Sequence, residues 1–149
     1  MALGTFLFCI LNFAFSLAGC SVPNLESREC DQAQDMVREF YSYHFGHNLG
    51  FSEEDLNARR NYLTPEFLVS VRDPPRDVPP GVDPFTRTDD PPKAFRVGSC
   101  HLVEPGKRTR LEVLLFWKDD VRSEQRSIVV ETEQRDGKWL IDRVSQDAE

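Results

Sequence analysis

The chain has 149 residues, with 25 acidic against 18 basic side chains and a formal charge of −7. That length suits one domain. No charged side chain precedes Glu26, so the acidic excess lies wholly beyond the opening segment. An acidic surface excludes nucleic acid as the partner, because the phosphate backbone calls for a basic footprint. It also argues against electrostatic docking to anionic lipid. It serves solubility, or attracts a cationic partner.

Residues 1–19 carry no charge and are dominated by Leu, Phe, Ile and Ala. The apolar run is short for a bilayer-spanning helix and has the length of a signal peptide. It ends in Leu17-Ala18-Gly19-Cys20. This resembles the lipobox of bacterial lipoproteins, in which signal cleavage precedes a cysteine that becomes lipid-modified. The resemblance implies removal of 1–19, lipidation of Cys20, a tether over 20–30 and attachment to the bacterial cell envelope. Ser21 in place of Asp after the cysteine resembles lipoproteins sent on to the outer membrane, facing the periplasm. No Lys or Arg precedes the apolar run, as signal peptides normally require. An ordinary secretory signal or a retained anchor is therefore the alternative, and either also puts the domain outside the cytoplasm.

Cys9 falls in the segment to be removed and Cys20 is the lipid acceptor, which leaves Cys30 and Cys100. Two remaining cysteines in an oxidising compartment are a disulfide candidate. The bridge would close a loop of roughly 70 residues and be worth up to ~4 kcal/mol on the chain-entropy model. Two buried free thiols are the alternative; a catalytic thiol lacks an obvious base near either position.

Three helices are expected next. Ala33, Val37, Phe40, Tyr41, His44 and Phe45 recur at three- and four-residue spacing and predict a helix over 31–45 with one broad apolar face. Ser52-Glu53-Glu54-Asp55 has a capping Ser followed by acids where the helix dipole favours them; a short helix through Leu56 and Arg59 follows. Thr64-Pro65-Glu66 starts a third, with Thr as cap and Pro at the first helical position. Residues 73–92 then hold seven prolines in twenty positions. Proline removes backbone donors, so this stretch is a loop, and a loop so long is functional or disordered. Asp83-Pro84-Phe85 offers it a single aromatic anchor.

The last third is a β-meander after a first strand over 94–103. From Thr109 to Trp117, Leu111, Val113, Leu115 and Trp117 alternate with Arg110, Glu112, Leu114 and Phe116, as a strand with one face on a core does. Arg126 to Glu133 alternates likewise. Asp136-Gly137 marks a hairpin turn, and Trp139, Ile141 and Val144 complete the fourth strand. The outward Leu114 and Phe116 are expected to be covered by the proline loop or to present a surface to another chain, for instance in a homodimer through the sheet.

Helices first, then a long connection, then four antiparallel strands ending in Gly137-Lys138-Trp139-Leu140-Ile141-Asp142 resembles the nuclear transport factor 2-like (cystatin-like) fold. The resemblance implies an α+β class in which a curved sheet wraps a helix and leaves a conical cavity. Tyr62-Leu63-Thr64-Pro65, Asp83-Pro84-Phe85, Asp90-Pro91 and Asp136-Gly137-Lys138-Trp139, in this order, resemble a bacterial family of small envelope proteins of unknown function, the YbjP-type lipoproteins. That likeness spans about residues 31–145 and implies fold and address, not chemistry. The single domain is placed at 31–149.

There is no phosphate-cradling glycine loop, no Gly-x-Ser-x-Gly elbow and no Cys-x-x-Cys pair. His44 and His47 would need a third ligand, such as His101, to hold a metal; no metal or cofactor is expected. Tyr41, His44, Tyr62, Asp83, Asp90 and Trp117 are the cavity and binding candidates. A carboxyl among aromatics has a raised pKa and can serve an isomerase or dehydratase. Buried tyrosines are more often core aromatics, and Asp beside Pro more often makes turns. The reading is a lipid-anchored, non-catalytic binding or structural module. A periplasmic inhibitor or immunity protein is the alternative, and a small cavity enzyme the second.

Overall fold

Ser27 decides where the first helix begins. Its hydroxyl accepts the amide of Cys30, and Glu29 and Asp31 sit in the first turn, where the dipole favours acids. The computed structural model describes residues 27–74 and 79–146. Helix α1 runs Arg28–Gly46, three residues ahead of the start that apolar spacing predicts, because the capping signal is polar and lies upstream of the first apolar side chain. Ala33, Val37, Phe40, Tyr41 and His44 form its buried stripe. Asn48 and Leu49, both at φ 55°, turn the chain away after it. Helix α2, Glu53–Arg59, starts from a reciprocal capping box between Ser52 and Asp55. Helix α3, Pro65–Arg72, starts from Thr64 with Pro at the first turn.

Strands β1 (Ala94–Glu104), β2 (Arg108–Lys118), β3 (Ser123–Arg135) and β4 (Lys138–Gln146) pair in sequence order, all antiparallel. The chain is thus α+β, with three helices N-terminal to a curved four-stranded sheet. Asp136 and Gly137 both have positive φ, 50° and 76°, as a two-residue hairpin matching the strand twist requires.

Three register shifts interrupt the sheet, one of them at the end of β1 between Leu102 and Glu104, and the other two tune which side chains face inward. Val97 pairs with Val113 but Cys100 with Leu111, so β1 carries an extra residue at Gly98-Ser99. Glu131 pairs with Arg143 but Thr132 with Ile141, so Asp142 is the extra residue in β4. Each bulge shifts the alternation by one. That shift explains why Val144, not Arg143, follows Ile141 into the core.

The core lies between α1 and the inner face of the sheet, where Leu111, Val113, Leu115, Trp117, Ile128 and Val130 are buried. The Cys30–Cys100 disulfide joins the first turn of α1 to β1 across 70 residues of sequence. The amide of Thr64 donates to the carbonyl of Ile141 at 2.9 Å, and Leu63 bridges the same residue, covering part of the β4 edge. Among the described residues no helix is long and apolar enough to cross a membrane. Cys20 and the apolar opening segment lie outside the described residues.

Candidate functional site

Three separate elements converge at one end of the core. Helix α1 contributes Phe40, Tyr41 and His44, α2 contributes Arg59, and the proline loop contributes Asp83 and Phe85. The loop folds into a tight turn: the Asp83 amide donates to Thr88 O at 2.9 Å and the Arg87 amide to Asp83 O at 2.8 Å. The turn drives Phe85 inward until it is 0 % exposed. Its ring lies 5.1 Å from Phe40 and from His44, and 6.1 Å from Phe67, in edge-on arrangements. Edge-to-face contacts are the favoured geometry for aromatic quadrupoles. Phe85 thus fills the space between Phe40, His44 and Phe67 at this end of the core.

A buried polar chain fastens this plug. Arg59 Nε donates to His44 Nδ1 at 3.1 Å, and His44 Nε2 lies 2.9 Å from Asp83 Oδ2. Because Nδ1 accepts, the ring proton sits on Nε2, and Nε2–H donates to the carboxylate. The other Asp83 oxygen accepts the Phe85 amide at 2.8 Å. Arg59 also donates from Nη1 to Asp55 O at 2.8 Å and stacks over Tyr43. Tyr41 donates its hydroxyl to Phe85 O at 2.6 Å. Neutral His44 therefore connects a buried cation to a buried anion; Asp83 spends both oxygens on the chain itself, whereas Arg59 bonds through Nε and Nη1 and leaves Nη2 buried without a partner.

Burial pushes the Tyr41 phenol well above its usual 10.0, and the Asp83 charge adds to the shift. A raised phenol pKa in the fold means that the unfolded chain loses the proton first. The contribution of Tyr41 is thus complete below pH 10 and is lost as pH rises beyond it, by about 1.4 kcal/mol per pH unit. Chemical unfolding of Tyr41→Phe between pH 9.5 and 11.5 is expected to show a slope smaller by one proton than the parent. Equal slopes would place Tyr41 in contact with water.

The remaining sequence-predicted residues fall elsewhere. Tyr62 is half-buried and donates to Glu39 at 2.8 Å, which raises its phenol. Trp117 donates from Nε1 to the Asp90 carbonyl at 3.0 Å. The Asp90 carboxylate pairs with Arg122, and Arg122 and Arg126 both lie over the Trp117 ring, 5.3 and 5.0 Å from its centroid. The two guanidiniums hold the Glu124 carboxyl below its usual range. Leu114 is buried and Phe116 half-buried beneath Arg96. Cys30 and Cys100 are disulfide-bonded. His47 is exposed and stacked on Tyr43, and His101 is exposed on β1; among the described residues no three His, Cys, Asp or Glu side chains are grouped to hold a metal.

Arg59 is the residue that sequence reasoning did not single out. Arginine is usually a surface side chain, and only its place four residues after Asp55, on the side of a short helix that also carries Leu56, hints otherwise. Two open concavities formed by described residues lie outside the plug. One groove of about 800 Å³ runs between α3, the proline loop and β4, bordered by Phe51, Phe67, Val71, Val82, Arg87 and Val144. A second of about 520 Å³ lies between Thr86–Thr88 and the Gln125–Ile128 end of β3.

Fold and site together define an α+β protein with a curved sheet whose interior is sealed by its own loop. No protein-family model matches the chain, and no curated protein matches it. It is similar in structure to a protein of unknown function from Bacteroides thetaiotaomicron VPI-5482, known from a crystal structure at 2.10 Å resolution. The two share 22 % identity and a TM-score of 0.51, over 79 % of this chain and 92 % of the other. That likeness concerns the fold.

Proposed function

We propose that this chain is a lipid-anchored protein of the bacterial cell envelope, attached through Cys20 to the outer membrane and facing the periplasm. Its domain is a non-catalytic binding or structural module of the YbjP-type lipoprotein kind. The Cys30–Cys100 disulfide carries the address, because it begins ten residues after the lipobox cysteine and such bridges persist in oxidising compartments. The sealed interior supports the non-catalytic role. The Tyr41 hydroxyl and both Asp83 oxygens, the groups a cavity enzyme would use, are bonded within the chain.

Cells expressing the full chain and fed labelled palmitate should yield a labelled band that Cys20→Ser abolishes. A label that survives the substitution rules out the anchor.

A further inference from the structure

We infer that the groove between α3, the proline loop and β4 binds a small carboxylate on an apolar body, with Arg87 taking the carboxylate. The inference deepens the binding-module reading and rests on it.

Arg87 is the anomaly. Among the described residues five arginines are buried or half-buried: Arg59, Arg87, Arg108, Arg122 and Arg135. Four have a carboxylate within 4.0 Å, respectively Asp55, Asp142, Asp90 and Glu133. Arg87 has none among the described residues, and its Nε, like Arg59 Nη2 and Thr86 Oγ1, is shut from water with no hydrogen-bond partner. A guanidinium left so is costly unless something else meets it.

The backbone adds a second cost. Arg87 sits at φ 56°, in the left-handed region that L-residues with a Cβ avoid and that tends to be retained at functional sites. The strained residue closes the turn that seats Phe85 and stands at the border of both grooves.

The groove itself selects the ligand. Phe67, Val71, Val82, Pro84 and Val144 make its walls apolar, and Phe51 stands partly exposed at the rim. The two acids on its border are already engaged. Glu66 pairs with Arg135 at 2.8 Å, and Asp142 with Arg108 at 2.9 Å and with the Thr64 hydroxyl at 3.0 Å. Of the two arginines on the border, Arg143 has the Glu131 carboxylate at 3.8 Å, and Arg87 is the one with no carboxylate partner among the described residues to meet an incoming anion. A planar guanidinium suits a carboxylate, and the apolar walls suit a hydrocarbon or aromatic remainder.

The test uses the full chain in non-ionic detergent, with 4-phenylbutyrate as probe and 4-phenylbutanol, acetate and inorganic phosphate as controls, followed by calorimetry. Phenylbutyrate is expected to bind at least tenfold more tightly than each control. Arg87→Gln should weaken it tenfold or more, and Phe51→Ser should weaken it with the fold intact. Arg87→Gly should abolish binding while the melting temperature stays level or rises, because glycine relieves the left-handed strain. Phenylbutyrate bound equally by Arg87→Gln, or phosphate bound as tightly as phenylbutyrate, would overturn the assignment. Absence of phenylbutyrate binding with the Cys20 palmitate label intact would remove the ligand and leave the anchor standing.

Discussion

Asp83→Ala is expected to cost about 3–5 kcal/mol, the range for removing one partner of a buried charge pair. The substitution takes the acceptor from His44 Nε2–H and from the Phe85 amide together, and leaves the fully buried Arg59 with the Asp55 carboxylate at 3.6 Å as its remaining anion. A domain of this size has about 5–15 kcal/mol in all, so a large share of its stability would go. Urea unfolding should show a lower midpoint with little change in slope, since the exposed area on unfolding is nearly the same. The effect should also be strongly non-additive. Combining Asp83→Ala with Arg59→Met removes both charges, and the double variant should be less destabilised than the sum of the two singles. Additive losses would mean that His44 does not couple them.

Loss of the disulfide ranks next. Cys30→Ser with Cys100→Ser frees a loop of 70 residues in the unfolded chain, which on the chain-entropy model lowers stability by about 4 kcal/mol. The folded domain should survive, because α1 is also held to the sheet by Val37, Phe40 and Tyr41. The expected result is a native near-UV spectrum with a lower melting temperature that reducing agent no longer shifts. A parent protein whose melting temperature is insensitive to reductant would contradict the bridge.

The fold was legible where one physical rule governed a whole stretch. Alternation exposed β2 and β3, a positive-φ dipeptide marked the β3–β4 turn, and Ser52 and Thr64 announced α2 and α3 through their caps. The bulges at Gly98-Ser99 and Asp142 were harder to see. A bulge breaks the alternation by a single residue, and only the strand opposite reveals it. The site was half legible. Tyr41, His44 and Asp83 do meet, but they meet around Phe85, because the proline loop doubles back 44 residues after Tyr41. Nothing in the spacing of Asp83-Pro84-Phe85 announces that the aromatic anchor packs between Phe40, His44 and Phe67. Tyr62 and Trp117 fall away from that point because they are tied to nearer partners, Glu39 and Asp90.

A closed interior is the premise from which both the non-catalytic reading and the outer groove follow. Native-state amide hydrogen exchange at Asp83, Phe85 and Arg87 tests it directly. Their amides bond to Thr88 O, Asp83 Oδ1 and Asp83 O within the plugging turn. If the turn is part of the core, these amides exchange only when the whole domain unfolds, with the same opening free energy as those of Val113 and Val130 in the central strands. Exchange faster by orders of magnitude, with the strands still protected, would mean that the loop lifts on its own and uncovers a cavity lined by Tyr41 and His44.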